Sequence, residues 1–405
     1  MDTQILNERL LLACRWLTDV AQVKNEELYP TETRVHHHKT WSGAMRGEYR
    51  VSNREWGFFC PVWHTGQAVK ALVMASEFVG DFALESARAG GDFILRQVVT
   101  EGQDKGLILA YEDDGDQVNT SAILEGLDGL FALSEATGDA SYREAALGAL
   151  DWVARRMYMD GKGWFRDCYN PATGAFPPAR YGTEGRPLMD DAVFLTGYRL
   201  TGDERFKKIA IETAERLLRD EEPAGNWIGY APCNRERGNI HPRHAFWWGY
   251  PLLAVYRETG DERFREAFLR SVEWYRRAMR RDGGIFRGTY SDFSTDSFGH
   301  ATSGVGCAVM MFLDAAALTD SPESLPSAEL GLQYCMNLQF TCPADPWLKG
   351  VILEKILPPH DGWQRKGGDE SPYHIRDLGT TFFIQAAARY LSASKGVPLR
   401  AKKSA

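Results

Sequence analysis

Two kinds of apolar pattern alternate along the chain. QAVKALVMASEFV, AILEGLDGLFALSEA, AVFLTGYRL, FWWGYPLLAVYRE and GVGCAVMMFLDAAAL are apolar on nearly every face. The segments that follow them, clearest in FKKIAIETAERLLRD and FREAFLRSVEWYRRAMRR, place apolar residues only at helical spacing, with charge elsewhere. The first kind predicts a buried helix and the second a half-exposed one. The joint between them recurs as Gly80-Asp81, Gly138-Asp139, Gly202-Asp203 and Gly260-Asp261, with a weaker copy at Thr319-Asp320. The glycines stand 58, 64 and 58 residues apart. At each joint glycine ends the incoming helix in the left-handed conformation and aspartate caps the next.

Each repeat is therefore an inner helix followed by an outer one. LGTTFFIQAAARYL (378–391) supplies a sixth inner helix, and the N-terminal helix, about residues 4–22, supplies its outer partner. Six such pairs whose ends meet predict an all-α, closed (α/α)6 barrel; an open right-handed solenoid is the alternative. No Ser/Pro/Gly linker divides the chain, so one domain is expected over 1–395, followed by a disordered basic tail over 396–405.

Composition narrows the class. Of 405 residues, 44% are hydrophobic and 25% charged, with a net charge of −8. That balance is globular and offers no general attraction to nucleic acid or an anionic membrane. The seven scattered cysteines form no CxxC pair and are expected as reduced thiols. With no signal-like N-terminus and no apolar run of membrane-span length, a cytoplasmic address is expected. Oligomeric state is left open.

In such a ring the inner helices run the same way, and their N-termini converge at one end. That end suits carboxylates and anionic ligands. The segments entering it are long: NREWGFFCPVWHTGQ, YEDDGDQVNTS, RPLMDD, NIHPRHAFWWGY, RGTYSDFSTDSFGHATSG and KGGDESPYHIRDLG. They gather His64, His241, His244, His300 and His374 with Arg243, Arg287 and Arg376, and with Trp63, Trp247, Trp248 and Tyr290. Taken singly, each is more often a core or capping residue than a ligand contact. Their convergence at a concave end points to an acidic sugar. Neither His36-His37-His38 nor His241-x-x-His244 has a usual zinc spacing, so neither a metal nor a cofactor is expected.

The layout resembles the unsaturated glucuronyl hydrolases of glycoside hydrolase family 88 and the unsaturated rhamnogalacturonyl hydrolases of family 105. The resemblance rests on Trp63-His-Thr-Gly66 opening the first inner helix, Met189-Asp190 at the third, and Arg243-His-Ala-Phe-Trp247 at the fourth. It implies hydration of the double bond of a terminal unsaturated uronate, with an aspartate moving the protons, Arg243 gripping the uronate and Trp247 facing the sugar ring. Where the family places a second aspartate, at the start of the second inner helix, this chain has Asn119.

The chemistry needs a carboxylic acid with a raised pKa. Asp190 is expected to transfer the proton, with Asp191 as a helper or a charge at the helix N-terminus. Trp63, His64, Asn119, Arg243, His244, Trp247, Tyr290 and His300 are the expected substrate contacts. The expected partner is an oligosaccharide containing uronic acid. Four alternatives remain open. One is a polyuronate lyase using Tyr290 and His with Arg and Asn119. Others are a saturated glycoside hydrolase and an N-acylglucosamine 2-epimerase-like enzyme. Last comes a non-catalytic helical array, which would not need His, Arg and Asp gathered at one end.

Overall fold

The structure is a computed structural model that describes residues 1–32, 38–51, 53–112, 116–177, 184–295, 301–319, 321–356 and 373–395. It contains twelve α-helices among these residues. The inner helices are α2 (Pro61–Val79), α4 (Thr120–Thr137), α6 (Val193–Thr201), α8 (Tyr250–Thr259), α10 (Thr302–Leu318) and α12 (Asp377–Ser394). The outer helices are α1 (Thr3–Trp16), α3 (Asp81–Leu95), α5 (Ala140–Arg156), α7 (Glu204–Asp220), α9 (Glu262–Ala278) and α11 (Ser324–Asn337). The (α/α)6 barrel read from the sequence is the fold observed, and α12 packs against both α1 and α2, closing the ring.

Gly138, Gly202 and Gly260 end their helices with φ near +70°. Asp139, Asp203 and Asp261 then accept hydrogen bonds from the backbone N–H two residues on. The first copy departs from this scheme: Gly80 is itself the cap, and Asp81 is the first residue of α3, where its charge favours the helix N-terminus. Asp320 lies outside the described residues, as does the predicted tail.

Glycine also sets how closely the inner helices cross. A Cβ on Gly66 of α2 would lie 2.4 Å from the Gly126 Cα of α4, and one on Gly129 would lie 2.2 Å from the Gly66 carbonyl oxygen. Gly126 meets Val62 and Gly66, and Gly129 meets Gly66 and Lys70, so the two helices touch backbone to backbone in their N-terminal halves and run in the same direction. Gly306 of α10 meets Phe382 of α12 in the same way. At the end where these helices begin, a four-stranded antiparallel sheet runs in the order Glu55–Phe58, Gly47–Arg50, Tyr373–Arg376, Lys355–Ile356. It joins the approaches to the first and last inner helices. No helix among the described residues is long and apolar enough to cross a membrane.

Candidate functional site

Arg243 occupies the turn before α8, and the chain then makes one wide π-helical turn over Ala245–Gly249. Such turns are uncommon and gather at functional sites. This one carries Trp247. Arg243 is 5% exposed, with its guanidinium carbon 4.8 Å from the Trp247 ring, 5.3 Å from Trp63 and 5.9 Å from Phe382. Its Nε and Nη1 find no hydrogen-bond partner among the described residues. A guanidinium held between aromatic walls with donors unfilled is arranged to receive an anion.

Asp190 and Asp191 stand in a tight turn before α6. Asp191 and Ala192 both have positive φ, 51° and 52°, a conformation that costs non-glycine residues energy and persists only where the surroundings impose it. It turns the two carboxylates to different partners. Asp191 accepts from Lys70 Nζ at 2.6 Å and Gln67 Nε2 at 3.3 Å. Lys70 also reaches Asp128 at 3.0 Å. Burial works to lower the Lys70 pKa, but the charges of Asp191 and Asp128 outweigh it and hold the ammonium charged. Asp191 is therefore half of an interior ion pair. The N-terminus of α6 has no side-chain cap.

Asp190 is 3% exposed, and its Oδ2 has no partner among the described residues. Burial, and then the negative charge of Asp191, push its carboxyl up to about 7, with Arg186 pulling the other way. Asp190 and Asp191 line a small cavity with Gln67, Glu125, Phe246, Trp247 and Phe382. It encloses about 210 Å³ of empty space, part of it open to solvent.

Glu125 was missed by the sequence reading. It is 7% exposed on α4. Burial raises its carboxyl well above the usual range, the charge of Asp190 adds to this, and Arg243 pulls it back. A signal for it did exist. Lys70, Glu125 and Asp128 are charges inside helices otherwise apolar on every face, where an unpaired charge is costly.

The remaining predicted contacts divide. His64 is fully buried, and its Nδ1 lies 2.5 Å from Asp377 Oδ1 at the start of α12. His64 Nε2 has no partner among the described residues. His244 is also fully buried; burial, and then Arg186, lower its pKa to about 3, so it is neutral. The Cys233 thiol, pushed up to about 12 by burial, lies 2.8 Å from His244 Nδ1. His244 Nε2 has no partner among the described residues.

Asn119 caps α4. Its Oδ1 accepts from the Ser121 and Ala122 N–H groups, and its Nδ2 donates to Glu112 at 2.8 Å. Its amide is thus engaged in holding the helix start. Tyr290 sits in a two-residue strand paired with Asn239–Ile240 and is not among the cavity-lining residues. His300 lies outside the described residues. Among the described residues no three His, Cys, Asp or Glu side chains come together in a metal-holding group.

Fold and site together define a closed six-hairpin barrel with an acidic, aromatic-walled cleft at the mouth of its lumen. Solved structures of this architecture include unsaturated glucuronyl hydrolases, sugar epimerases and a D-mannose isomerase. An unsaturated glucuronyl hydrolase specific for heparin matches with a TM-score of 0.68 at 13% identity, over 98% of this chain and 99% of that one. The unsaturated glucuronyl hydrolase of Bacillus sp. GL1 matches with 0.68 at 16%, over 98% of each chain. The cellobiose 2-epimerase of Spirochaeta thermophila matches with 0.67 at 16%, over 97% of this chain and 98% of that one. At such identities the likeness establishes the fold. No family model matches the chain, and no curated protein matches it in sequence.

Proposed function

We propose that this protein is a carbohydrate-active enzyme that removes a terminal unsaturated uronate by hydrating its double bond, with Asp190 moving protons at that bond. The observation that carries this reading is the pairing of two unsatisfied groups at one end of the barrel. One is the buried Arg243 guanidinium between Trp63 and Trp247, which suits the uronate carboxylate. The other is the buried Asp190 carboxyl, poised near neutral pH as proton transfer requires. Two solved structures of the same fold are named as unsaturated glucuronyl hydrolases. The test is to incubate the protein with unsaturated uronate oligosaccharides and follow the ultraviolet band of the conjugated double bond. Loss of absorbance, abolished by Asp190→Asn, is expected. Full activity in that variant would remove Asp190 from the chemistry.

A second reading is epimerisation of a saturated sugar. It is favoured by two buried imidazoles, His64 and His244, whose Nε2 atoms lack partners among the described residues. The cellobiose 2-epimerase and sugar epimerase neighbours share the fold. Interconversion of free sugars, with unsaturated uronides left intact, would select it.

A further inference from the structure

We propose that Glu125 is a second catalytic carboxyl, which shares one proton with Asp190 at the cavity they both line. This deepens the hydration reading and rests on it. Both residues line the same cavity but arrive from neighbouring inner helices, Glu125 on α4 and Asp190 just before α6. Glu125 caps no helix, and it forms no salt bridge with any described residue. The Arg243 charge and a hydrogen bond from Trp63 favour its ionised form, against its burial. Its backbone is held in place: Gln67 Nε2 donates to the Glu125 carbonyl at 2.6 Å, and the Gly66–Gly126 crossing fixes α4 against α2.

The charged groups facing the pair are Asp191 with Lys70 of α2 and Asp128 of α4, Arg243 before α8, and Arg186 before α6. From α10 comes the fully buried Cys307, whose thiol burial keeps neutral. From α12 comes Phe382. Lys70 neutralises the Asp191–Asp128 couple in part. This leaves Glu125 and Asp190 as the two carboxyls at the cavity without an ion-pair partner of their own. Two buried carboxyls at one small cavity resist double ionisation, so one proton stays with the pair.

Protonated Glu125 gives its proton to C4 of the unsaturated sugar, and the electron pair of the C4–C5 double bond forms the new C–H bond. Positive charge develops at C5 and its ring oxygen. Ionised Asp190 takes a proton from water as the water oxygen bonds C5. The proton then passes from Asp190 back to Glu125. The net change is addition of one water, and the resulting hemiketal opens to release the adjoining residue.

The test uses the full chain, an unsaturated uronate disaccharide, and Glu125→Gln and Glu125→Asp. The wild type is expected to show a bell-shaped dependence of kcat on pH, since one carboxyl must be charged and the other protonated. Glu125→Gln is expected to lose roughly 10²–10⁴-fold in kcat, with KM changed only a few-fold, and to lose the alkaline limb. Glu125→Asp is expected to recover part of the rate and the bell. A Glu125→Gln enzyme within threefold of the wild type, with the same profile, overturns the proposal. Carboxyl-carbon NMR tests the pair without substrate. Asp190 should titrate in two steps in the wild type and in one step in Glu125→Gln, and superimposable curves overturn the shared proton. If the wild type leaves every unsaturated uronide intact, the functional reading falls, and the shared proton is judged by the titration.

Discussion

Asp190 couples chemistry to stability. Its carboxyl ionises near 3.8 in water and near 7 in the fold, chiefly through burial. A raised folded-state pKa means that the native state binds the proton longer than the unfolded one. The fold therefore loses stability as pH rises from about 4 to about 7, and the loss is complete above that. At about 1.4 kcal/mol per pH unit the effect is at most about 4 kcal/mol. Asp190→Asn should thus unfold at a higher denaturant concentration than the wild type at pH 8, with the difference shrinking toward pH 4. A difference that does not vary with pH would mean the carboxyl is not perturbed. Arg243 makes a separate prediction. Arg243→Lys keeps the charge and loses the planar fork between Trp63 and Trp247, so KM for a uronate substrate should rise at least about tenfold with a smaller change in kcat. An unchanged KM would detach Arg243 from the carboxylate. Of these residues, Asp190 and Arg243 drew notice in the sequence because each lies in a segment that leads into an inner helix. Asp191 was less so. Its partner Lys70 lies on another helix, and the left-handed backbone at Asp191 and Ala192 has no glycine to announce it.

At the scale of elements, the close crossing of α2 and α4 places much of the site. Gln67 and Lys70 follow Gly66 on one helix, and Glu125 and Asp128 flank Gly126 on the other. Direct backbone contact brings these four side chains to the same part of the lumen. Gly66, read from the sequence as part of a site motif, is thus explained by packing. Gly66→Ala adds a methyl group 2.4 Å from the Gly126 Cα, and rigid backbone has little room to move away. Overpacking of this kind costs about 1–3 kcal/mol. The variant should show a lower Tm by calorimetry, and any hydration activity should fall with it as Glu125 separates from the Asp190 turn. A Gly66→Ala protein with wild-type Tm would show that the helices are less closely engaged than described. The Gly-Asp turns at the opposite end were readable because both partners of each contact lie within a few residues. The α2–α4 crossing was not, since no local pattern shows which glycines face each other. Asn119 caps α4 through bonds to residues two and three positions on, and these compete with the ligand role that its position suggested.

For the whole molecule, closure of the ring is what turns six separate helix starts into one concave site. The ring closes between the first and last inner helices, which are about 300 residues apart in sequence. Among the contacts that tie them are the antiparallel sheet pairing of Gly47–Arg50 with Tyr373–Arg376, the Arg376–Glu48 ion pair, the buried Gln385–Gln67 hydrogen bonds, and the buried His64–Asp377 hydrogen bond. The last of these joins the first turns of α2 and α12 directly. The sequence indicated that the ends meet, because the N-terminal helix lacked an inner partner and the sixth inner helix lacked an outer one. It gave no hint that His64 would be spent on the seam. A double-mutant cycle tests this role. His64→Ala and Asp377→Ala should each destabilise the fold, since each leaves a buried polar partner unsatisfied at about 1–3 kcal/mol. The double variant should cost less than the sum of the two, with a coupling of about 0.5–3 kcal/mol. If closure holds the barrel as one unit, every variant should still unfold in a single transition. Strict additivity would show that the pair does not close the seam. In that case His64, with its Nε2 unpartnered among the described residues, would gain weight as a proton-transfer group for the epimerase reading.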